Sequence, residues 1–250
     1  MVLETRASPL TVELTLPPPF TLVRLRELGD AFAHAQTIAA ERGAGTLVYV
    51  GRFDLAEFAV VLEPDEPLVQ ARRAIYAGMA ALADALAAHA QPETEISIDW
   101  PDSISVNRGL VGGGRLSWPQ GTGEQETPAW LVFGAMIRTV SMSGSEPGLN
   151  PLVTALEEEG FTDAMSDQVV ESFARHFMVA VDAWQENGFG AVARSYLERL
   201  PSEKGLRRDI DESGDLLIRR MGKTHVERMP LLARLAEPAW FDPQAKGPRT

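Results

Sequence analysis

Two periods of apolar residues alternate along the chain and predict its elements. Leu68, Ala71, Ile75, Met79, Leu82 and Leu86 recur at three- and four-residue spacings, so one long alanine-rich helix is predicted over 67–90, with Met79 facing the core. Val169, Val170, Phe173, Phe177, Val181 and Trp184 make a second such stripe over 163–186. Asp30 reads as the N-cap of a helix reaching Arg42, where Gly43 and Gly45 stop it. Shorter helices are expected over 152–159 and 191–200. The runs at 46–50, 58–62 and 130–138 are rich in β-branched and aromatic residues and predict buried strands. Residues 21–28 leave open a short strand or a helix start.

The stretch 95–119 follows neither period for long. Ile96, Ile98 and Trp100 alternate with polar residues as a strand does, until Trp100-Pro101-Asp102 interrupts, because proline cannot donate to a ladder. After the short run 104–106 and a turn at Asn107-Arg108-Gly109, three glycines, Gly112, Gly113 and Gly114, fall inside a predicted strand. Glycine weakens a strand unless something must approach the backbone closely. A ligand lying against bare backbone in a glycine-lined cleft beside Trp100 is therefore expected. Strict alternation would put 111, 113 and 115 on one face and 110, 112, 114 and 116 on the other, unless the glycines form a bulge.

Asp99-Trp100-Pro101-Asp102-Ser103 followed by Leu110-Val111-Gly112-Gly113-Gly114-Arg115 resembles the central motif of the biotin/lipoate–protein ligases. That motif runs Lys-Trp-Pro-Asn-Asp, a hairpin, then Lys-x-Gly-Gly-Ile-Leu. The resemblance implies an α/β (α+β) fold with a mixed sheet flanked by helices, covering residues 1–200. Pro201 marks a change of composition, and the hairpin predicted from 215–221 and 224–229 across Gly222-Lys223 resembles the small β cap that follows the catalytic domain in many biotin ligases. The cap is placed at 201–236 and a tail at 237–250.

By the same resemblance the chemistry would be ATP- and Mg-dependent activation of a small carboxylic acid and its transfer to a biotinyl or lipoyl carrier domain. The motif lysines are replaced by Asp99 and Leu110, and Gly51-Arg52 is what remains of a longer Gly-Arg-Gly-Arg loop. Gly29-Asp30-Ala31-Phe32 stands where the family opens a helix with hydroxyl residues. Met136 and Arg138 stand for a Gly and an Asn of the nucleotide region. Arg115 occupies a place where the family has an apolar residue against the acyl group, and would favour an additional carboxylate or phosphate. Trp100, Pro101, Gly112, Gly113, Gly114, Arg115, Arg52 and Arg138 are thus the candidate ligand-binding residues, with the catalytic residues unassigned.

Composition narrows the chemistry further. The chain has 35 acidic against 23 basic residues, a formal charge of −12, which argues against nucleic acid or an anionic membrane as partner. There is no cysteine, hence no thiolate metal site or thiol nucleophile, and no metal-binding His pair. No apolar run is long enough to span a membrane and the N-terminus lacks signal-peptide character, so the cytoplasm is expected. The lysines are Lys204, Lys223 and Lys246, so no lysine mechanism is available before residue 204. Two readings stay open: a divergent acyl ligase or transferase with a rearranged charge set at Arg115, Arg52 and Arg138, or a catalytically inactive ligase-like protein that binds a small acid or a carrier domain.

Overall fold

The computed structural model describes residues 14–142, 152–162 and 165–249. A seven-stranded mixed sheet forms its centre, built from β1 (Thr21–Leu25), β2 (Thr46–Val50), β3 (Leu55–Leu62), β4 (Ile96–Asp99), β5 (Ser103–Val106), β6 (Gly109–Ser117) and β7 (Leu131–Arg138). The spatial order is β1-β2-β3-β7-β6-β5-β4, with β1 parallel to β2 and every other pair antiparallel. β3 and β7 lie at the middle and read as near-continuous apolar runs because both of their faces are covered.

Strand alternation sorts their side chains. Phe58, Val60, Phe133 and Ala135 face the main core, under α3 (Ala74–Ala87) and α4 (Ser166–Asn187). There Phe173 of α4 packs 4.5 Å from the Phe58 ring and stacks on Phe133 at 5.6 Å. A methyl group on Gly78 of α3 would collide with the Phe133 ring, so this glycine lets the helix approach the sheet. Leu55, Glu57, Ala59, Val61, Val132 and Met136 belong to the opposite face. α1 (Ala31–Arg42) covers part of that face through Ala31, Ala35 and Ala39.

Asp30 caps α1 as expected, its carboxylate accepting from the Ala33 N–H at 2.8 Å, and Gly43 ends it at φ 74°. The helix expected over 67–90 is broken into α2 (Leu68–Ala71) and α3. The break lies at Arg72-Arg73, whose buried guanidiniums reach Ser213, Glu124 and Glu66, contacts that periodicity does not encode. No helix forms over 152–159; its described residues run beside β6 through a Leu110–Val153 bridge and then turn. Most of the loop expected at 141–151 and the start of the 163–186 helix lie outside the described residues. α5 (Phe189–Leu197) packs against α3 and α4.

Residues 206–229 form a separate antiparallel sheet of β8 (Leu206–Ile210), β9 (Leu216–Arg220) and β10 (Val226–Met229), in the order β10-β9-β8. Ile210, Leu216 and Ile218 turn inward and join the main core. The short α6 (Leu231–Leu235) follows. The segment read as a tail then packs back on the large sheet as the hairpin of β11 (Phe241–Asp242) and β12 (Gly247–Pro248), with Trp240 1% exposed. No helix among the described residues is long and apolar enough to cross a membrane.

Candidate functional site

Four elements singled out by sequence converge on one face: the start of α1, the β2–β3 connection, β6 and β7. β5 and β6 pair regularly through Ile104 and Gly112, then slip so that Ser105 faces Leu110. Val111 is the extra residue of a bulge, and strict alternation fails there. Val111, Gly114 and Leu116 share the main-core side, while Gly113 and Arg115 share the α1 side. The two-residue turn Asn107-Arg108, with φ of 47° and 73°, joins the strands.

Each glycine admits the protein's own atoms. A methyl group on Gly112 would collide with the Met136 carbonyl, one on Gly113 with the Asp102 carbonyl and the Trp240 indole, and one on Gly114 with Met79 and Phe133. The Trp240 indole N–H donates to the Gly114 carbonyl at 2.9 Å, and its ring packs with Leu55 and Met136. The glycine strand is therefore covered by the C-terminal segment where sequence alone suggested a bare cleft. The cause lies 126 residues away in the chain, beyond the reach of local pattern.

Arg115 is the candidate that meets open space. Its guanidinium sits between the rings of Phe32 (4.2 Å) and Phe241 (4.5 Å) and lies 3.4 Å from the Asp30 carboxylate. Burial lowers its pKa, while Asp30 and Glu57 support its charge. It borders a cavity of about 500 Å³ lined also by Phe32, Phe241, Pro243, Glu237 and Arg249. Phe32 projects over Gly134, where a side chain would collide with it.

The other candidates are committed elsewhere. Trp100 and Pro101, joined by a cis peptide bond, belong to a latch: the Trp100 indole donates to the Tyr76 hydroxyl at 3.0 Å, and the Tyr196 hydroxyl donates to the Pro101 carbonyl at 2.9 Å. Arg52 forms a bidentate pair with Asp54 at 3.1 and 2.7 Å, which raises the Arg52 pKa and lowers that of Asp54. Arg138 donates to the backbone carbonyls of Thr154, Pro248 and Arg249, binding β12 to β7.

Three residues missed by sequence reasoning shape this face. Glu57, 2% exposed, accepts the Ala31 N–H at 2.8 Å, placing a carboxylate at the start of α1. Burial raises its pKa. Its signal was present: in the alternation Leu55, Glu57, Ala59, Val61, one carboxylate falls on a buried face. Trp240 and Phe241 carried a weaker signal, two large aromatics inside a proline-rich segment. Among the described residues the donors do not fit a magnesium nucleotide. Leu110 packs in the apolar cluster with Trp240, Arg52 and Arg138 are held by partners within the protein, and Asp30 and Glu57 add carboxylates.

Residues 16–198 match the biotin/lipoate A/B protein ligase family. The chain belongs to that family. A biotin–[acetyl-CoA-carboxylase] ligase of Paracoccus denitrificans is 25% identical over 208 residues, which are 76% of this chain and 85% of the ligase. A biotin protein ligase-like protein of unknown function from Silicibacter sp. TM1040 superposes with a TM-score of 0.75 at 26% identity, over 88% of this chain and 98% of that one. The biotin protein ligase of Aquifex aeolicus gives 0.62 at 14% identity, over 84% and 99%, a likeness of fold. The mixed sheet flanked by helices is the ligase fold expected from sequence, with small antiparallel sheets after it. This ligase-family member has its Trp-Pro-Asp motif on the β4–β5 turn and its glycine motif on β6.

Proposed function

We propose that this ligase-family member binds a small carboxylic acid with an apolar body at Arg115 and does not adenylate it. The observation that carries the reading is the Arg115 guanidinium, held between two phenylalanine rings at the wall of the 500 Å³ cavity. Cavities of roughly 300–1,000 Å³ suit small molecules. The rings and Pro243 suit an aliphatic or ring body, and a guanidinium suits a carboxylate. Adenylation concentrates negative charge on phosphate and acyl oxygens, and Arg52 and Arg138 are occupied within the protein. In this reading residues 1–200 supply Phe32, Arg115 and Leu116 to the acid site, 201–236 form the cap, and the C-terminal segment supplies most of the remaining lining of the cavity.

A second reading, a divergent ligase acting on a carrier domain, draws support from the 25% identical Paracoccus ligase. Thermal shifts with biotin, lipoate and octanoate, each with and without ATP–Mg, separate the two. The expected outcome is stabilisation by one acid, no addition from ATP–Mg, and loss of the effect in Arg115→Met, which keeps an apolar stem between the rings. Acid at a hundred times its Kd adds about 2.7 kcal/mol. Release of AMP in the presence of acid would return the protein to the ligases, and silence with every acid would reject acid binding at Arg115.

A further inference from the structure

The chain is acidic overall, yet its small sheet carries an exposed basic end. Arg207 of β8 and Arg219 of β9 are direct cross-strand partners, and both are exposed. Like charges placed opposite each other destabilise a sheet pair. No ion pair to either arginine is present among the described residues. The Met221 N–H donates to the Gly205 carbonyl at 2.7 Å, which brings Lys204 beside the β9–β10 turn and its exposed Lys223 and His225. Arg220, one residue before Met221, is neutralised by Glu203 at 3.0 Å. Along the same outer face the next pair inward is Asp209 and Leu217. Amid these cations Met221 is 86% exposed, a flexible apolar side chain standing in water.

We infer that this end of the small sheet is a docking surface for an acidic protein segment, with Met221 as its apolar contact and Lys204, Arg207, Arg219 and Lys223 as its charges. Two features favour a protein over a nucleic acid. A long polyanion would run on from the patch across a body whose total charge is −12, whereas a short acidic segment engages the patch alone. A thioether also complements an aliphatic side chain flanked by carboxylates better than it does a phosphate backbone. The unfavourable Arg207–Arg219 register is what a surface held for a partner would retain.

The test measures fluorescence anisotropy of a labelled synthetic peptide with Leu and Val among Glu and Asp residues, beside a DNA duplex of equal charge. Saturable peptide binding that weakens with salt is expected, with the duplex bound more weakly. Arg207→Glu puts an acid opposite Arg219. It should lower peptide affinity at least tenfold while raising the melting temperature by about 1–3 °C. Met221→Ser should weaken binding at unchanged salt dependence, and Lys246→Glu, outside the patch, should leave affinity unaltered. Tighter binding of the duplex, or an Arg207→Glu variant that binds the peptide as well as the parent, would overturn the inference.

Discussion

Asp102, from the Trp-Pro-Asp motif, is 1% exposed, and its second carboxylate oxygen has no hydrogen-bond partner among the described residues. Burial pushes its pKa from 3.8 to about 7, with the Ser103 hydroxyl bond working the other way. The folded chain thus favours the protonated form. The stability this carboxyl allows is complete below its unfolded pKa and is lost as pH rises toward 7. Burial shifts Glu57 in the same direction, so both contribute to that slope. Asp102→Asn should be close to neutral at pH 4. At pH 8 it should stabilise the protein by on the order of a few kcal/mol. Urea unfolding of both proteins at the two pH values measures this, and an equal difference at both would refute it.

Among the elements, β6 most clearly separates what sequence reveals from what it conceals. That three consecutive glycines demand close approach was legible, because a strand tolerates them only for that reason. What approaches was not legible, since Met79, Asp102, Trp240 and the β7 pair Phe133 and Met136 come from four other places in the chain. The helix ends of α1 were readable because Asp30 and Gly43 act within one turn. The break between α2 and α3 was hidden because Arg72 and Arg73 answer to Ser213, Glu124 and Glu66. Gly78→Ala should destabilise by about 1–3 kcal/mol, although alanine is the better helix former, since its methyl group meets the Phe133 ring. Trp240→Ala should cost about 3–5 kcal/mol and uncover Gly113. Denaturant midpoints of the two variants check both values, and a neutral Trp240→Ala would mean that the C-terminal hairpin is not integral to the site.

At the scale of the molecule, the β8–β9 turn of the small sheet is tied to the α2–α3 region and, through Tyr76, to the Trp100 turn by polar contacts. The Tyr76 hydroxyl donates to the Gly214 carbonyl at 2.5 Å while accepting from Trp100, and Arg72 donates to the Ser213 carbonyl at 3.1 Å. Inward residues of β8 and β9 enter the same core as α3 and α4. Calorimetry should therefore record one cooperative transition, with calorimetric and van't Hoff enthalpies equal. Tyr76→Phe leaves the Trp100 N–H and the Gly214 carbonyl without their buried partner and should cost about 1–3 kcal/mol. Two resolved transitions in the parent protein would contradict this coupling. Family membership was legible from the order of motifs along the chain, whereas the fate of the site depended on a segment outside them.

The bond between Trp240 and Gly114 also sets a timetable for synthesis. The two residues are 126 positions apart, so at roughly 5–20 residues per second β6 leaves the ribosome on the order of ten seconds before its cover exists. During that interval Leu110, Met136 and Leu55 lack the indole that covers them in the folded protein.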